Sequence, residues 1–340
     1  MEKERKFKII ADYAENFEEI ENSNKASFND HMYAEEIQQI NNAICQMGYN
    51  CSIFGGVETL LAAANKKDIL QEYYFLNFSD GLTQSYSRLQ APVLCEILNL
   101  KYSGSSPFSV ALMNNKHYSK MAVEELHIMV PKGILIECST DLSYINELHF
   151  PIILKPNTGG SSEGITQDCI KYSNQETILK AQELLERGYE IIAEEYIAGY
   201  EATTLIIGNK DDIKINETIV YEFDNKLYHD SDVLDANYKA NNNRIGYPAY
   251  QIFSLDLCNK IREISIKIFN HFQVNEIARI DYRITKDGEI YFIEINSQPG
   301  INKGSEGGYI CKFQGISFGE LYNKYIQTFL KRIEINRDLK

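Results

Sequence analysis

Hydrophobic and polar positions along the 340-residue chain switch between a period near two and a period near 3.6, and the switches mark the elements. Phe7 to Ala11 is a short apolar run and predicts a first strand. Residues 15–29 are polar and Asn-rich and predict a loop. Asp30 then caps a helix from Tyr33 to Met47, with Ile37, Ile40 and Ile44 on one face and Gly48 as its stop. Asn50 to Phe54 predicts a second strand, Glu58 to Asn65 a helix, and Glu72 to Phe78 a third strand. Strands alternating with helices imply a small open parallel sheet. The third strand runs into Asn77-Phe78-Ser79-Asp80-Gly81, either an ordinary turn or the polar tip where such sheets hold a ligand. A helix over Ser87 to Leu98 leads to Tyr102-Ser103-Gly104-Ser105, and a domain boundary is expected within 105–115. An Ala/Leu/Met stretch then reaches Asn114-Asn115-Lys116, followed by a helix over 118–127 and a strand from Gly133 to Glu137.

The strand from Phe150 to Pro156 ends in a lysine, Lys155, and opens into Asn157-Thr158-Gly159-Gly160-Ser161-Ser162-Glu163-Gly164. Glycines let backbone N–H groups converge on an anion, serines add donors, and the lysine supplies counter-charge, so this stretch is a candidate phosphate loop. The G-x-x-x-x-G-K-[ST] pattern is absent, and a mobile hairpin tip is the plainer reading. Ser173-x-x-Glu176 is a capping box that starts a helix running to Gly188. The strand from Glu190 to Ala193 ends in Glu194-Glu195-Tyr196-Ile197, where backbone groups around an apolar residue and nearby acids could read an adenine edge and a ribose. Strands are expected over Ala202 to Ile207 and within 211–223. Residues 224–249 form a long polar loop with Lys226, His229, Tyr238, Lys239 and Arg244, the kind that serves as a lid. A helix from Leu255 to Phe272 precedes the most informative stretch, and a helix opened by Ser317-x-x-Glu320 ends the chain near Arg332.

That stretch is EIARIDYRITKDGEIYFIEINSQPG, residues 276–300. Two β-rich runs flank Asp287-Gly288, a hairpin signal. With those two residues as the turn, opposed positions sum to 575: Asp281 faces Glu294 and Arg279 faces Asn296. All four share one face. The other face would carry Ile280, Tyr282 and Ile284 against Ile295, Ile293 and Tyr291. Opposed like charges destabilise a sheet unless compensated. Arg279 helps, and a hard cation such as Mg2+ fits the Asp, Glu and Asn oxygens better than solvent alone.

Composition narrows the classes. A net charge of −14 argues against a nucleic-acid partner. No run of 18 apolar residues exists, and MEKERKFKII lacks a signal-peptide core, so a cytoplasmic location is expected. Seven dispersed cysteines (45, 51, 95, 138, 169, 258 and 311) read as free thiols.

Tyr102-Ser103-Gly104-Ser105, Lys-Pro-x-x-x-Gly-Ser-Ser-x-Gly, Ala-Arg-Ile-Asp and Glu-Ile-Asn-x-x-Pro-Gly occur in an order that resembles the D-alanine–D-alanine ligase family of ATP-grasp enzymes, over Glu72 to Leu330. The resemblance implies an α/β (α+β) architecture: an N-terminal open parallel pre-ATP-grasp domain (1–110), a central ATP-grasp subdomain (111–197) and a C-terminal one (198–340). It implies an ADP-forming carboxylate–amine ligase working through an acyl phosphate. Lys116 and Lys155 would bind the phosphates of ATP, with Ser161, Ser162 and Gly164 in the loop that folds over them. Glu194, Glu195, Ile197, Glu201 and Ile293 would surround adenine and ribose. Asp281, Glu294 and Asn296 would hold two Mg2+ ions, for which Mn2+ could substitute. Arg279 would stabilise the oxyanion, and Ser162 and the lid lysine, matched to Lys239 at a different spacing, would assist. Gly300, Ser305 and Glu306 would face the acceptor. Partners would be small amino acids or peptides, and relatives are commonly homodimers.

Two departures bear on substrate. The family's Gly-Gly and Glu-His-Glu-Val-Ser signature after the first strand is replaced by Ala11-Asp12-Tyr13-Ala14-Glu15 and an Asn-rich insertion. The residue after Ser305, usually apolar, is Glu306, which suggests an acceptor with a cationic amine. A D-alanine–D-alanine ligase with a diverged N-terminus and a non-catalytic nucleotide-binding protein remain the alternatives.

Overall fold

The computed structural model describes residues 5–16, 31–82, 86–159, 167–232 and 244–338. Strands β1 (Lys6–Ile10), β2 (Asn50–Gly55), β3 (Tyr74–Asn77) and β4 (Lys101–Tyr102) form a parallel sheet in the order β2-β1-β3-β4. Helices α1 (Ala34–Gln46), α2 (Val57–Ala62) and α3 (Gln90–Ile97) lie between them in sequence. Ile37, Ile40 and Ile44 of α1 are buried, as their spacing requires, and Gly48 ends the helix at φ +87°. Its N-cap is Tyr33, whose N–H donates to Glu36 Oε2 at 2.9 Å, so the expected Asp30 cap moves inward; Asp30 is outside the described residues.

Helices α4 (Pro107–Asn114) and α5 (Lys116–Glu124) follow. A second, antiparallel sheet takes β5 (Gly133–Ile136), β6 (Ile152–Pro156), β7 (Ile170–Lys171) and β8 (Ile191–Glu195) in the order β5-β8-β6-β7, with α6 (Asn174–Glu186) packed on it. The third sheet runs β12-β10-β9-β13-β14, with β11 on β9. Its strands are β9 (Gly199–Asn209), β10 (Asp212–Phe223), β11 (Tyr228–His229), β12 (Arg244–Pro248), β13 (Glu276–Ile284) and β14 (Ile290–Asn296). Helix α7 (Leu255–His271) covers one face of it. The other face shares a core with the N-terminal sheet: Leu205 and Ile207 pack in one cluster with Phe7, Ile9, Leu76 and the C-terminal helix residues Tyr325 and Phe329. Helix α8 (Glu306–Gln314) and that terminal helix, α9 (Phe318–Asp338), complete the chain, and α9 continues past the expected end at Arg332.

Arg332 has another task. It pairs with the buried Glu276 at 2.6 Å, and Glu276 accepts the Gly104 N–H at 2.7 Å. Ser103 Oγ joins Tyr325 OH (2.7 Å) to the Asn77 N–H (3.0 Å), and Ser105 Oγ accepts from Asn275 N (3.0 Å). Ser103-Gly104-Ser105 is therefore the seam between the parallel sheet and the large one.

Within 224–249, the described residues include two strands, β11 and β12. Arg244–Pro248 pairs with β10, a strand masked in sequence by its polar start and terminal proline. His229 is fully buried and stacked on Phe223 at 3.6 Å. Residues 233–243, including Tyr238 and Lys239, are outside the described residues. All seven cysteines are free thiols. Among the described residues no helix is long and apolar enough to cross a membrane.

Candidate active site

The β13–β14 hairpin pairs Asp281 with Glu294, Ile280 with Ile295 and Arg279 with Asn296, the register read from the sequence. The route to it differs. Near the turn the pairing slips by one: Ile284 faces Ile290, and Thr285 N donates to Glu289 O at 3.0 Å around Lys286-Asp287-Gly288, with Gly288 at φ +81°. The turn thus has one residue more than a two-residue loop, and a bulge at Ile293 restores the count. The core face of β14 is consequently Ile290, Phe292 and Ile295 rather than Tyr291, Ile293 and Ile295. The bulge has a structural use: Lys120 Nζ donates to the Ile293 carbonyl at 2.6 Å.

The polar face is crowded with opposite charge. Arg279 lies along Asp281, with Nη2 at 2.9 Å from Oδ2, and is 3.7 Å from both Glu294 Oε1 and Glu306 Oε2. Thr203, opposite Asp281 on β9, donates to Asp281 Oδ1 at 2.8 Å. Burial alone would lower the Arg279 pKa, but Asp281, Glu306 and Glu294 outweigh it and hold the guanidinium charged. Asn296 Oδ1 accepts from Arg88 Nη1 and from the Gln298 N–H, each at 3.0 Å. No group of three His, Cys, Asp or Glu side chains converges on a cage among the described residues. Two carboxylates and one amide on a single face suit Mg2+, which keeps waters and takes substrate phosphates as its other ligands. The hairpin oxygens fit that group.

Lys116 opens α5 beside this face. Its N–H donates to Asn157 O (2.9 Å), and the next N–H, of His117, to Asn157 Oδ1 (2.9 Å), so the fully buried Asn157 pins the helix start to the end of β6. Lys116 Nζ is then 3.0 Å from Gly159 O and 3.8 Å from Glu294 Oε2. Burial pushes its pKa down from 10.5. Arg88, Asn114, Lys116, Gly159, Glu294 and Asn296 line one cleft.

Beneath lies a closed cluster. Glu194, on β8, is 0% exposed; its two oxygens meet Lys120 Nζ at 2.6 Å and Lys155 Nζ at 3.1 Å. Burial raises a carboxyl pKa, but the two lysines overcome this and the net shift is downward. Glu194 therefore does not offer its carboxylate to a ribose. Lys120 lies one turn after Lys116, a spacing that could have flagged it in sequence. Glu195 accepts from His149 through its N–H (3.0 Å) and Nδ1 (2.7 Å). Ile197 is half-buried between β8 and β9. Glu201 faces Arg283 across the β9–β13 pair, with Nε at 2.8 Å.

On the other side, Ser305 caps α8 and donates to Asn302 O at 2.9 Å. A Cβ at Gly300 would stand 2.8 Å from Ser305 Cβ, so only glycine lets the turn pass. Glu306 is buried, accepts from Tyr221 OH at 2.9 Å, and lies 3.6 Å from Arg244 Nη2. Burial would raise its pKa, but Arg279 and Arg244 pull it down. A carboxylate held by two guanidinium groups and a phenol does not wait for a cationic amine, so the expected reason for Glu306 gives way to an internal one. Ser161, Ser162, Gly164 and Lys239 lie outside the described residues.

The sequence reading missed Arg88, Lys120 and Thr203 as site residues, placed Asn157 only at the head of the glycine-rich loop, and placed Arg244 only in the expected lid loop. In the replaced N-terminal signature, Asp12 accepts from Val57 N at 3.0 Å and from Ser79 Oγ, and Glu15 accepts from Ala34 N at 3.1 Å. Both acids tie down local backbone.

Residues 121–327 match the family model described as "D-ala D-ala ligase C-terminus". The D-alanine–D-alanine ligase of Aquifex aeolicus is 29% identical over 233 residues, covering 67% of this chain and 73% of that protein. D-alanine–D-alanine ligase B of Clostridium perfringens is 26% identical over 280 residues, covering 79% and 85%. The crystal structure of the Bacillus anthracis D-alanine–D-alanine ligase complexed with ATP superposes with a TM-score of 0.72 at 19% identity, covering 98% of this chain and 99% of that one. The VanG D-Ala:D-Ser ligase of Enterococcus faecalis gives 0.69 at 18%, covering 96% and 99%. Lysines at a cleft, an oxygen-lined hairpin with its arginine, and these likenesses converge: the chain belongs to the D-alanine–D-alanine ligase family of ATP-grasp proteins and is an ADP-forming carboxylate–amine ligase.

Proposed function

We propose that this protein phosphorylates the carboxylate of one amino acid or small peptide and transfers the acyl group to the amine of another, with a substrate pair other than two D-alanines. The observation that carries the mechanism is the single face on which Arg279, Asp281, Glu294 and Asn296 sit, with Lys116 3.8 Å from Glu294. A carboxylate is a poor electrophile, and phosphorylation gives it a leaving group. When bound, Mg2+ supplies charge neutralisation at the transferring phosphoryl. Asp281, Glu294 and Asn296 would hold two such ions, and Lys116 would exchange Gly159 O for phosphate oxygen. Lys155, seated on Glu194, adds counter-charge from below. Arg279 stays protonated and holds the oxyanion that forms as the amine attacks the acyl carbon; the C–O bond to phosphate then breaks and phosphate leaves. Ser161, Ser162, Gly164 and Lys239 belong to segments that would cover the site and keep water from the acyl phosphate.

Glu195, Ile197, Glu201 and Ile293 would line the nucleoside end, with Arg283 remaining the counter-charge of Glu201. Gly300 and Ser305 would shape the acceptor side. The chain divides for this purpose into units 1–110, 111–197 and 198–340. It acts in the cytoplasm as a homodimer on small molecules, and its charge of −14 disfavours nucleic acid.

The substrate reading rests on Asp12 and Glu15 being committed to backbone N–H groups where the family signature would stand, and on the Arg244–Glu306 pair beside Ser305, at a position the family resemblance implies is apolar. The second reading, a ligase of two D-alanines, is favoured by the names of the relatives. ADP release from purified protein with Mg2+-ATP and a panel of amino-acid and dipeptide pairs decides between them. Turnover only with a pair other than D-alanine supports the proposal. Robust turnover on D-alanine alone selects the second reading. No ADP with any pair, while ATP binds, overturns both substrate assignments.

A further inference from the structure

Arg88 comes from the N-terminal sheet region, on the turn Ser87–Leu89, yet its guanidinium ends in the phosphate cleft 208 residues away in sequence. Its Nε holds Asp80 Oδ1 at 2.7 Å and its Nη1 reaches Asn296 Oδ1 at 3.0 Å. The side chain is 10% exposed, so this is a built contact and no surface accident. The Asn296 amide oxygen has two lone pairs, and the Gln298 N–H takes the other one at 3.0 Å. Two donors on one atom fix which end of the amide faces the cleft.

A cation that coordinates Asn296 Oδ1 must displace one of these donors. The Gln298 N–H belongs to the turn backbone, whereas Arg88 can move its Nη end while its Nε keeps Asp80. We infer that Arg88 is a positioning residue that stands in for the metal: its guanidinium occupies and orients the Asn296 amide oxygen until nucleotide-borne cation displaces it, and the displaced Nη end then turns to phosphate beside Lys116. The inference rests on the reading of Asn296 as a metal ligand. It gives the N-terminal region a direct part in loading order, because metal alone only displaces an internal cation, whereas nucleotide-borne metal brings the phosphate that receives the displaced guanidinium.

A residue of this kind has opposite effects on two equilibria. A group that favours the metal-free state weakens metal binding, and a cation beside phosphate strengthens nucleotide binding. The test titrates Mn2+ alone into the nucleotide-free full-length protein, followed by the electron paramagnetic resonance signal of free Mn2+, and separately titrates a non-hydrolysable ATP analogue with Mg2+. Arg88→Gln and Arg88→Met are expected to bind Mn2+ alone about tenfold more tightly, the scale of one charge at this range, and the analogue about fivefold more weakly. Arg88→Lys keeps the charge and a partner for Asp80 but cannot span both oxygens. It shifts both equilibria in the same directions by smaller factors, and carries the test should the neutral variants not fold. Weaker or unchanged Mn2+ binding in the Arg88 variants overturns the inference, since a purely structural residue would weaken both ligands. Asn296→Ala separates the two levels. If it leaves Mn2+ binding untouched, the metal-ligand reading itself fails; if it weakens Mn2+ while Arg88 variants do not tighten it, only the stand-in role fails.

Discussion

Two buried charge clusters sit a few side chains apart and are built on different terms. At the floor, Glu194 is completely enclosed and both its oxygens are engaged by lysines, at 2.6 and 3.1 Å. On the hairpin wall, Arg279 is shared among Asp281, Glu294 and Glu306, and two of those contacts are 3.7 Å. Glu294 keeps a side chain 24% exposed. Enclosed ions with short contacts cannot exchange partners without unpaired charge in a low-dielectric interior, which is costly. Loosely shared ions at a cleft wall can trade an arginine for a metal or a lysine for a phosphate at little cost. The first arrangement fits a structural role that keeps Lys155 in place, and the second fits chemistry.

The sharpest way to break the comparison is to neutralise one carboxylate of each cluster. Asp281→Asn is expected to lower kcat by roughly 100- to 1000-fold or more, while the thermal midpoint moves only a few degrees, since Thr203 and Arg279 can still bond the amide; a coupled ADP assay and a melting curve measure both. Glu194→Ala should do the reverse in kind. Removing one member of a buried ion set costs about 3–5 kcal/mol, so the urea midpoint falls steeply, and kcat per folded molecule is largely kept, with the loss that remains falling on the ATP affinity that Lys155 owes to its seat. A loss of kcat in Glu194→Ala at full foldedness would dissolve the distinction.

A smaller effect follows from pH. The carboxyls of Glu194 and Glu306 lie below the ordinary 4.5 in the folded protein because lysines and arginines face them. A depressed carboxyl contributes stability that is full above its unfolded value and is lost as pH falls through its folded one. Stability should therefore hold above pH 4.5 and decline below it, and Glu194→Gln should flatten that decline, read from urea midpoints across pH 3 to 6. The smallest expected change is in Glu306→Gln, which keeps a hydrogen-bonding partner for Tyr221 and Arg244 but releases Arg279. A rise of a few-fold in acceptor KM with kcat nearly kept, about 1 kcal/mol of uniform binding, is the predicted outcome; a loss confined to kcat would place Glu306 in the transition state instead.

Much of this was legible beforehand, for identifiable reasons. Helix α1 announced itself through Ile37, Ile40 and Ile44 and the Gly48 stop, because local periodicity and capping need no tertiary information. Helix α4 went unread as a helix: its apolar run carries no clear period, although Ser106 as N-cap and Pro107 at its first turn mark its start. The hairpin is more instructive. Opposing Asp281 to Glu294 was right at the end that matters because two departures from a regular hairpin, a longer turn and the Ile293 bulge, cancel. The core residues between them, read as Ile293 and Tyr291, were the places where that cancellation had not yet occurred. Glu306 looked unpaired in sequence because Arg279 and Arg244 come from strands distant from it along the chain.

The sequence by itself determined most of the elements, the family and the set of chemical groups: lysines at a strand end and a helix start, carboxylates and an amide on two paired strands. These follow from local periodicity and from residue types that few other sites combine. Only the tertiary structure decided which of those groups neutralise one another. Arg88 reaching Asn296, Lys120 locking Glu194, and Arg244 holding Glu306 each join segments far apart in the chain. Ionic partnership depends on distance and enclosure, and neither is written in the order of residues.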